Sequence, residues 1–108
     1  MNDSKFLVLA DATLKKIEEM IEDDFKDFFE IDYQDGVLTI LLENEDEYVL
    51  NRHLPQHQIW LSSPISGTYY FNYNLDECIW VTSQKEIFYL FVFLKNELKS
   101  IMEKSSIK

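Results

Sequence analysis

Nine of the chain's twenty carboxylates fall within eighteen residues: Glu18, Glu19, Glu22, Asp23, Asp24, Asp27, Glu30, Asp32 and Asp35, with Lys26 the one base among them. Glu18 with Glu22, and Glu19 with Asp23, stand four apart, so each pair leaves a helix from one face. Glu30 and Asp32, two apart, share a face of an extended strand and can continue the same ridge. Like charges at four-residue spacing weaken a helix by about 0.2–0.5 kcal/mol per pair, so stability does not explain the arrangement. Hard oxygen donors suit hard cations, Fe³⁺ first and Fe²⁺, Ca²⁺ or Mn²⁺ more weakly. No His or Cys lies within the run. The pattern therefore predicts weak binding of several ions, with exchangeable water completing each ligand shell. A solvated acidic face that keeps the protein soluble is the competing reading, and the residues alone leave both open.

A second candidate site centres on Trp60. In Gln58–Ser62, alternation puts Ile59 and Leu61 on one face and Gln58, Trp60 and Ser62 on the other. An exposed Trp with polar neighbours is a common interface anchor, although a Trp folded under a loop fits the alternation equally well. Asn51 and Arg52 are expected to shape the same surface. His53 and His57 are four apart, but Pro55 between them forbids a continuous helix; both read as solvated loop residues rather than metal ligands. Cys78, beside Ile79 and Trp80, reads as a small buried hydrophobe. No Ser-His-Asp set, glycine-rich phosphate loop or paired acid–base cleft can be picked out, so no catalytic residue is assigned.

These residues must be carried by one small domain, residues 1–108. Apolar side chains make up 46%, enough for a packed core. A net charge of −10 would be repelled by a phosphate backbone or an anionic membrane, and suits cations and basic protein partners. With one cysteine there is no internal disulfide and no thiolate cage for zinc or a cluster. The opening Met1-Asn2-Asp3-Ser4 lacks the basic start and apolar run of a signal peptide, so the expected compartment is the cytoplasm. No segment has membrane-spanning length.

Periodicity places the elements. Phe6, Ala10, Leu14, Ile17, Ile21 and Phe25 recur at three- and four-residue steps, which predicts an amphipathic helix from about Ser4 to Phe25 with Asp3 or Ser4 as N-cap. Phe29, Ile31 and Tyr33 then alternate with polar residues, and Asp35-Gly36 signals a two-residue hairpin. Further strands are expected at Val37–Leu42, Glu47–Leu50, Gln58–Ser62, Tyr69–Tyr73 and Cys78–Val81. Ser83 and Glu86 match a capping box, so a second helix is expected from there to about Met102, packing through Ile87, Leu90, Phe91, Leu94, Leu98 and Ile101. Phe88, Tyr89, Val92 and Phe93 make that helix apolar nearly all round; a buried helix or a dimer contact would explain it, and partial cover by the C-terminal tail is the expected account. The sum is an α+β two-layer sandwich, two helices on one face of an antiparallel sheet of five to six strands and the other face open.

Gly36-Val37-Leu38-Thr39-Ile40, Asn51-Arg52-His53-Leu54-Pro55 and Gln58-Ile59-Trp60-Leu61-Ser62-Ser63-Pro64, with Ser66-Gly67 and Trp80, resemble the signature of the frataxin family. Met1–Ser4, Ala10-Asp11 and Ile17-Glu18-Glu19 are similar to its bacterial CyaY type. The resemblance covers nearly the whole chain. It implies a frataxin-like fold and a non-enzymatic protein of iron–sulfur cluster assembly, monomeric or oligomeric with iron. Iron is implied to sit weakly on Glu18, Glu19, Glu22, Asp23, Asp27, Glu30 and Asp32, with no cluster held by this chain. The implied partners are a cysteine desulfurase and a cluster scaffold, met in part through Asn51, Gln58 and Trp60. A ferroxidase and a metal-independent acidic interaction module are the alternatives. The chain departs from the family at His53, where Gln is usual, at Leu7, where some bacterial members carry His, and at Tyr69 and Tyr70, which are often basic in eukaryotic members.

Overall fold

The structure, a computed structural model, describes residues 1–106. Helix α1 spans Asp3–Asp24 and is capped by Asn2, whose side chain accepts the Lys5 N–H at 2.8 Å. The cap is thus one residue earlier than the sequence suggests. All six residues of the expected apolar stripe are buried. The helix ends at Asp24, where the Phe25 N–H donates to the Ile21 carbonyl, and it has acids and no base in its last turn. That composition opposes the helix dipole rather than balancing it.

Six strands follow: β1 (Glu30–Gln34), β2 (Val37–Leu41), β3 (Glu47–His53), β4 (Gln58–Ser63), β5 (Gly67–Asn74) and β6 (Ile79–Thr82). They form one antiparallel meander in chain order. Asp35 and Gly36 both hold positive φ, as the hairpin signal requires. Asp27, Glu45, His57 and Cys78 are further non-glycine residues in left-handed conformations. Strand β3 extends three residues past its expected end, and Leu54–Gln56 form a single 3₁₀ turn around Pro55.

Helix α2 spans Leu90–Ser106 and so begins well after Ser83. Thr82 explains the delay. Its hydroxyl accepts the Phe88 N–H and donates to the Glu86 carbonyl, both at 2.8 Å, and Tyr89 bridges back to Val81. Gln84 accepts the Tyr70 N–H and donates to the Thr68 carbonyl, which pins the segment along β5. Sheet contacts outbid the local capping box, and Ile87, expected in the core, is 66% exposed.

Both helices cover one sheet face. Leu38, Ile40, Tyr48, Leu50, Ile59, Leu61, Phe71 and Trp80 point into the layer between sheet and helices, where Leu14, Ile17, Leu94 and Leu98 meet them. Polar ties cross that layer. Trp80 donates its indole N–H to Thr13 at 2.7 Å. Glu97 of α2 accepts from Tyr48 at 2.6 Å, from Ser63 at 2.8 Å and from Ser66. Among the described residues, no helix is long and apolar enough to cross a membrane.

Candidate metal-binding ridge and docking face

Along α1, the acids lie on the side turned away from the core, and β1 continues them. Asp11 and Glu18 face β1: the Tyr33 hydroxyl donates to Asp11 at 3.4 Å. Burial raises the Tyr33 ionisation above its ordinary value, Asp11 adds to the rise, and Glu18 contributes a smaller push. Glu19, Glu22, Asp23 and Asp27 are exposed. Ile31 and Tyr33 pair with buried Ile40 and Leu38, so Glu30 and Asp32, at the intervening positions, lie on the opposite sheet face. The acids thus wrap the β1 edge of the molecule, with Glu30 and Asp32 on the open side and the α1 set on the helical side.

Two carboxylates are neutralised. Arg52 Nη1 donates to both Asp11 oxygens, at 2.5 and 2.6 Å, and Lys95 reaches Asp24 at 2.8 Å. Arg52 therefore turns into the helical layer and is not part of the open surface, a correction to the sequence reading. The other acids of the run, from Glu18 to Asp35, have no ion pair among the described residues. Of these, Glu22 and Asp23 stand in the last turn of α1, where the helix dipole adds partial negative charge and so draws cations further. No three His, Cys, Asp or Glu side chains among the described residues converge as a ready-made metal site.

The open face is built around Trp60. It is half-buried and stands opposite Asn51 in the β3–β4 register and opposite Tyr70 in β4–β5. Its indole N–H donates to Gln58 at 2.8 Å, and Gln58 in turn donates to Asn72 at 3.1 Å. Tyr70 meets the ring edge-on at 5.1 Å, and His53 stacks on it at 3.9 Å and 13°. Asn51, Gln58 and Trp60 are thus brought together as expected. Spacing gave no sign of Tyr70 and His53; the register that carries them across from β3 and β5 does.

Three further expectations are corrected. His53 ends a strand, and its Nδ1 is buried without a partner, so it is not a solvated loop residue. His57 is held at φ 52° with its Nε2 2.7 Å from Asp3 Oδ1 and its ring stacked on Phe6, so it clips the 3₁₀ turn to the start of α1. Cys78 is exposed in the β5–β6 turn, its thiol donating to the Leu75 carbonyl at 3.6 Å. Tyr69, by contrast with Tyr70, faces the helices and packs on Phe88 and Phe93. The helical cover expected from the C-terminal tail falls partly on residues 107–108, outside the described residues; Tyr89 and Val92 are exposed.

Two helices on one side of a six-stranded meander, with an acid-lined helix end and an uncovered aromatic face, define a frataxin-like α+β sandwich. The chain belongs to the frataxin family: the model of the Frataxin-like domain matches residues 1–104. A frataxin from Psychromonas ingrahamii, of the CyaY protein family, is 32% identical, with a TM-score of 0.79 over 91% of this chain and 89% of that one. A trimeric frataxin from the yeast Saccharomyces cerevisiae, complexed with ferrous iron, is 27% identical, with a TM-score of 0.76 over 88% of this chain and 86% of that one. The mitochondrial frataxin of Arabidopsis thaliana is 36% identical over 105 residues, 94% of this chain and 56% of that protein. The mitochondrial frataxin homolog of Schizosaccharomyces pombe is 36% identical over 90 residues, 80% of this chain and 57% of that protein. The chain thus spans a little over half the length of these two relatives.

Proposed function

We propose that this chain is an iron-binding adaptor of iron–sulfur cluster assembly, acting in the cytoplasm without catalysing a reaction. Iron, Fe²⁺ or Fe³⁺, is its cargo. Glu18, Glu19, Glu22, Asp23, Asp27, Glu30 and Asp32 hold it weakly, with water in the remaining coordination positions. The observation that carries this reading is the set of carboxylates on α1, the turn after it and β1 that, among the described residues, no ion pair neutralises. Separate oxygens on an exposed edge suit several exchangeable hard ions and not one caged ion. The ferrous complex of the yeast relative supports iron as the metal.

The same ridge attracts a basic patch on a cysteine desulfurase, and Asn51, Gln58 and Trp60 meet the cluster scaffold; the chain serves that complex as regulator or iron donor. Trp60 has the features of an anchor: a large ring on an uncovered face, its N–H already satisfied by Gln58.

Titrating Fe²⁺ under nitrogen while recording amide NMR spectra tests the ridge. Broadening confined to residues 18–35 is expected, and no change at millimolar iron would sink the metal role. Admitting oxygen afterwards separates the adaptor from a ferroxidase, which would consume it stoichiometrically and saturably. For the docking face, Trp60→Ala should weaken scaffold binding by about tenfold or more while leaving the fold intact. Unchanged affinity would remove Trp60 from the interface.

A further inference from the structure

We propose that the groove between the two helices is a binding site for a small amphipathic anion, by chemistry an alkyl carboxylate. The groove encloses about 540 Å³, a size typical of small-molecule sites. It exists because α2 starts late. Residues 83–89 are held along β5 and β6 instead of continuing α2 toward its N-terminus, and the groove opens beside the first turn of α2. Leu9 and Ala12 form one wall, Ile79 and Trp80 the floor, and Phe91 and Val92 the other wall. Val92 and Tyr89, at its lip, remain 62% and 44% exposed.

Charge then selects the occupant. Lys15 and Lys16 stand on the rim with no ion pair among the described residues, and Glu19 is the one acid that joins them. In a chain of net charge −10, two lysines beside an apolar floor favour a ligand with an apolar body and an anionic head. A partner helix fits less well. Helix α2 and its leading residue offer only the single turn Tyr89–Val92 as a wall, about 5 Å long, shorter than the two turns that anchors at i, i+4 and i+7 span.

Decanoate, titrated below its aggregation concentration and followed by amide NMR, should shift residues 9–19, 79–80 and 89–92 saturably. Decyltrimethylammonium, with the same tail and the opposite head charge, should bind at least tenfold more weakly. Replacing Lys15→Ala and Lys16→Ala together should lower decanoate affinity by roughly tenfold or more, the loss expected when hydrogen bonds to a charged group are removed. Ala12→Trp, at an exposed position whose new ring fills the groove, should abolish binding. The lysine pair lies on the surface and reports even if Ala12→Trp fails to fold. Equal affinity for the two head groups, shifts confined to Ile87 and Phe93, or no saturable shift would overturn the proposal. So would an acidic helical peptide that occupies the groove where decanoate does not.

Discussion

Gly36 holds φ 76°, and the Arg52 side chain occupies the space where a β-carbon would stand. The same arginine is anchored to Asp11, so one glycine lets the β1–β2 hairpin, β3 and α1 close on each other. Gly36→Ala should therefore lower unfolding stability by about 1–3 kcal/mol, read from the urea midpoint. Tyr48 gives a pH-dependent counterpart. Burial, reinforced by the hydrogen bond to Glu97, pushes its phenol well above the ordinary tyrosine range. The phenol is harder to ionise folded than unfolded, so its contribution is intact below the unfolded value near 10 and is lost as pH rises toward the folded one. Stability should fall on titration above pH 10, and Tyr48→Phe should flatten that fall while costing about 1–2 kcal/mol at neutral pH. Alternation set Trp60 opposite Ile59 and Leu61 but left open whether its ring was covered by a loop. It could not find Arg52, His53 or Cys78. Arg52 and His53 are decided at a distance, by an ion pair 41 residues away and a ring on the next strand, and Cys78 by the left-handed turn it occupies.

Elements whose signals are local read correctly from the chain. The apolar stripe of α1 and the Asp35-Gly36 turn need only near neighbours to form. The start of α2 does not, because Ser83 and Glu86 offer a cap that competes with Thr82 gripping the Phe88 amide. The competition has a sharp test. Ser83→Ala should change stability by no more than about 0.5 kcal/mol, the range of an uninvolved surface site. Thr82→Val should cost about 1–3 kcal/mol by leaving buried groups unpaired, and should speed hydrogen exchange at the Phe88 amide. If Ser83→Ala is instead the costly change, the late helix start is wrong and the groove beside α1 goes with it.

Over the whole molecule, charge is arranged against stability. In a chain of net charge −10, nine of the twenty acids fall between residues 18 and 35, and the acidic end of α1 faces its own dipole. Replacing Glu22→Gln and Asp23→Asn together should raise stability by about 0.5–1 kcal/mol, through fewer like-charge pairs and a better-balanced helix end. The same variant should broaden less with Fe²⁺, and thermal melts should show its gain shrinking as salt is added. A variant that lost stability would show those carboxylates to be structural. The ridge was legible as a cluster in the sequence. Its division between two sheet faces was not, since that follows from which residues of β1 pair with the buried residues of β2.

The connections between these elements are built with almost no glycine. The chain has two, Gly36 and Gly67, and both hold positive φ; among the described residues, five other left-handed positions carry aspartate, glutamate, histidine or cysteine. Side chains of that kind are uncomfortable in such a backbone, Glu45 and Cys78 more than the aspartates, which can bond locally. Headroom for improvement thus sits in the loops, and Glu45 lies outside the core, the acidic run and the Trp60 face alike. Glu45→Gly should raise the melting temperature by a few degrees, for a gain of about 0.5–1 kcal/mol, leaving a hardier protein with its acidic ridge and Trp60 face untouched.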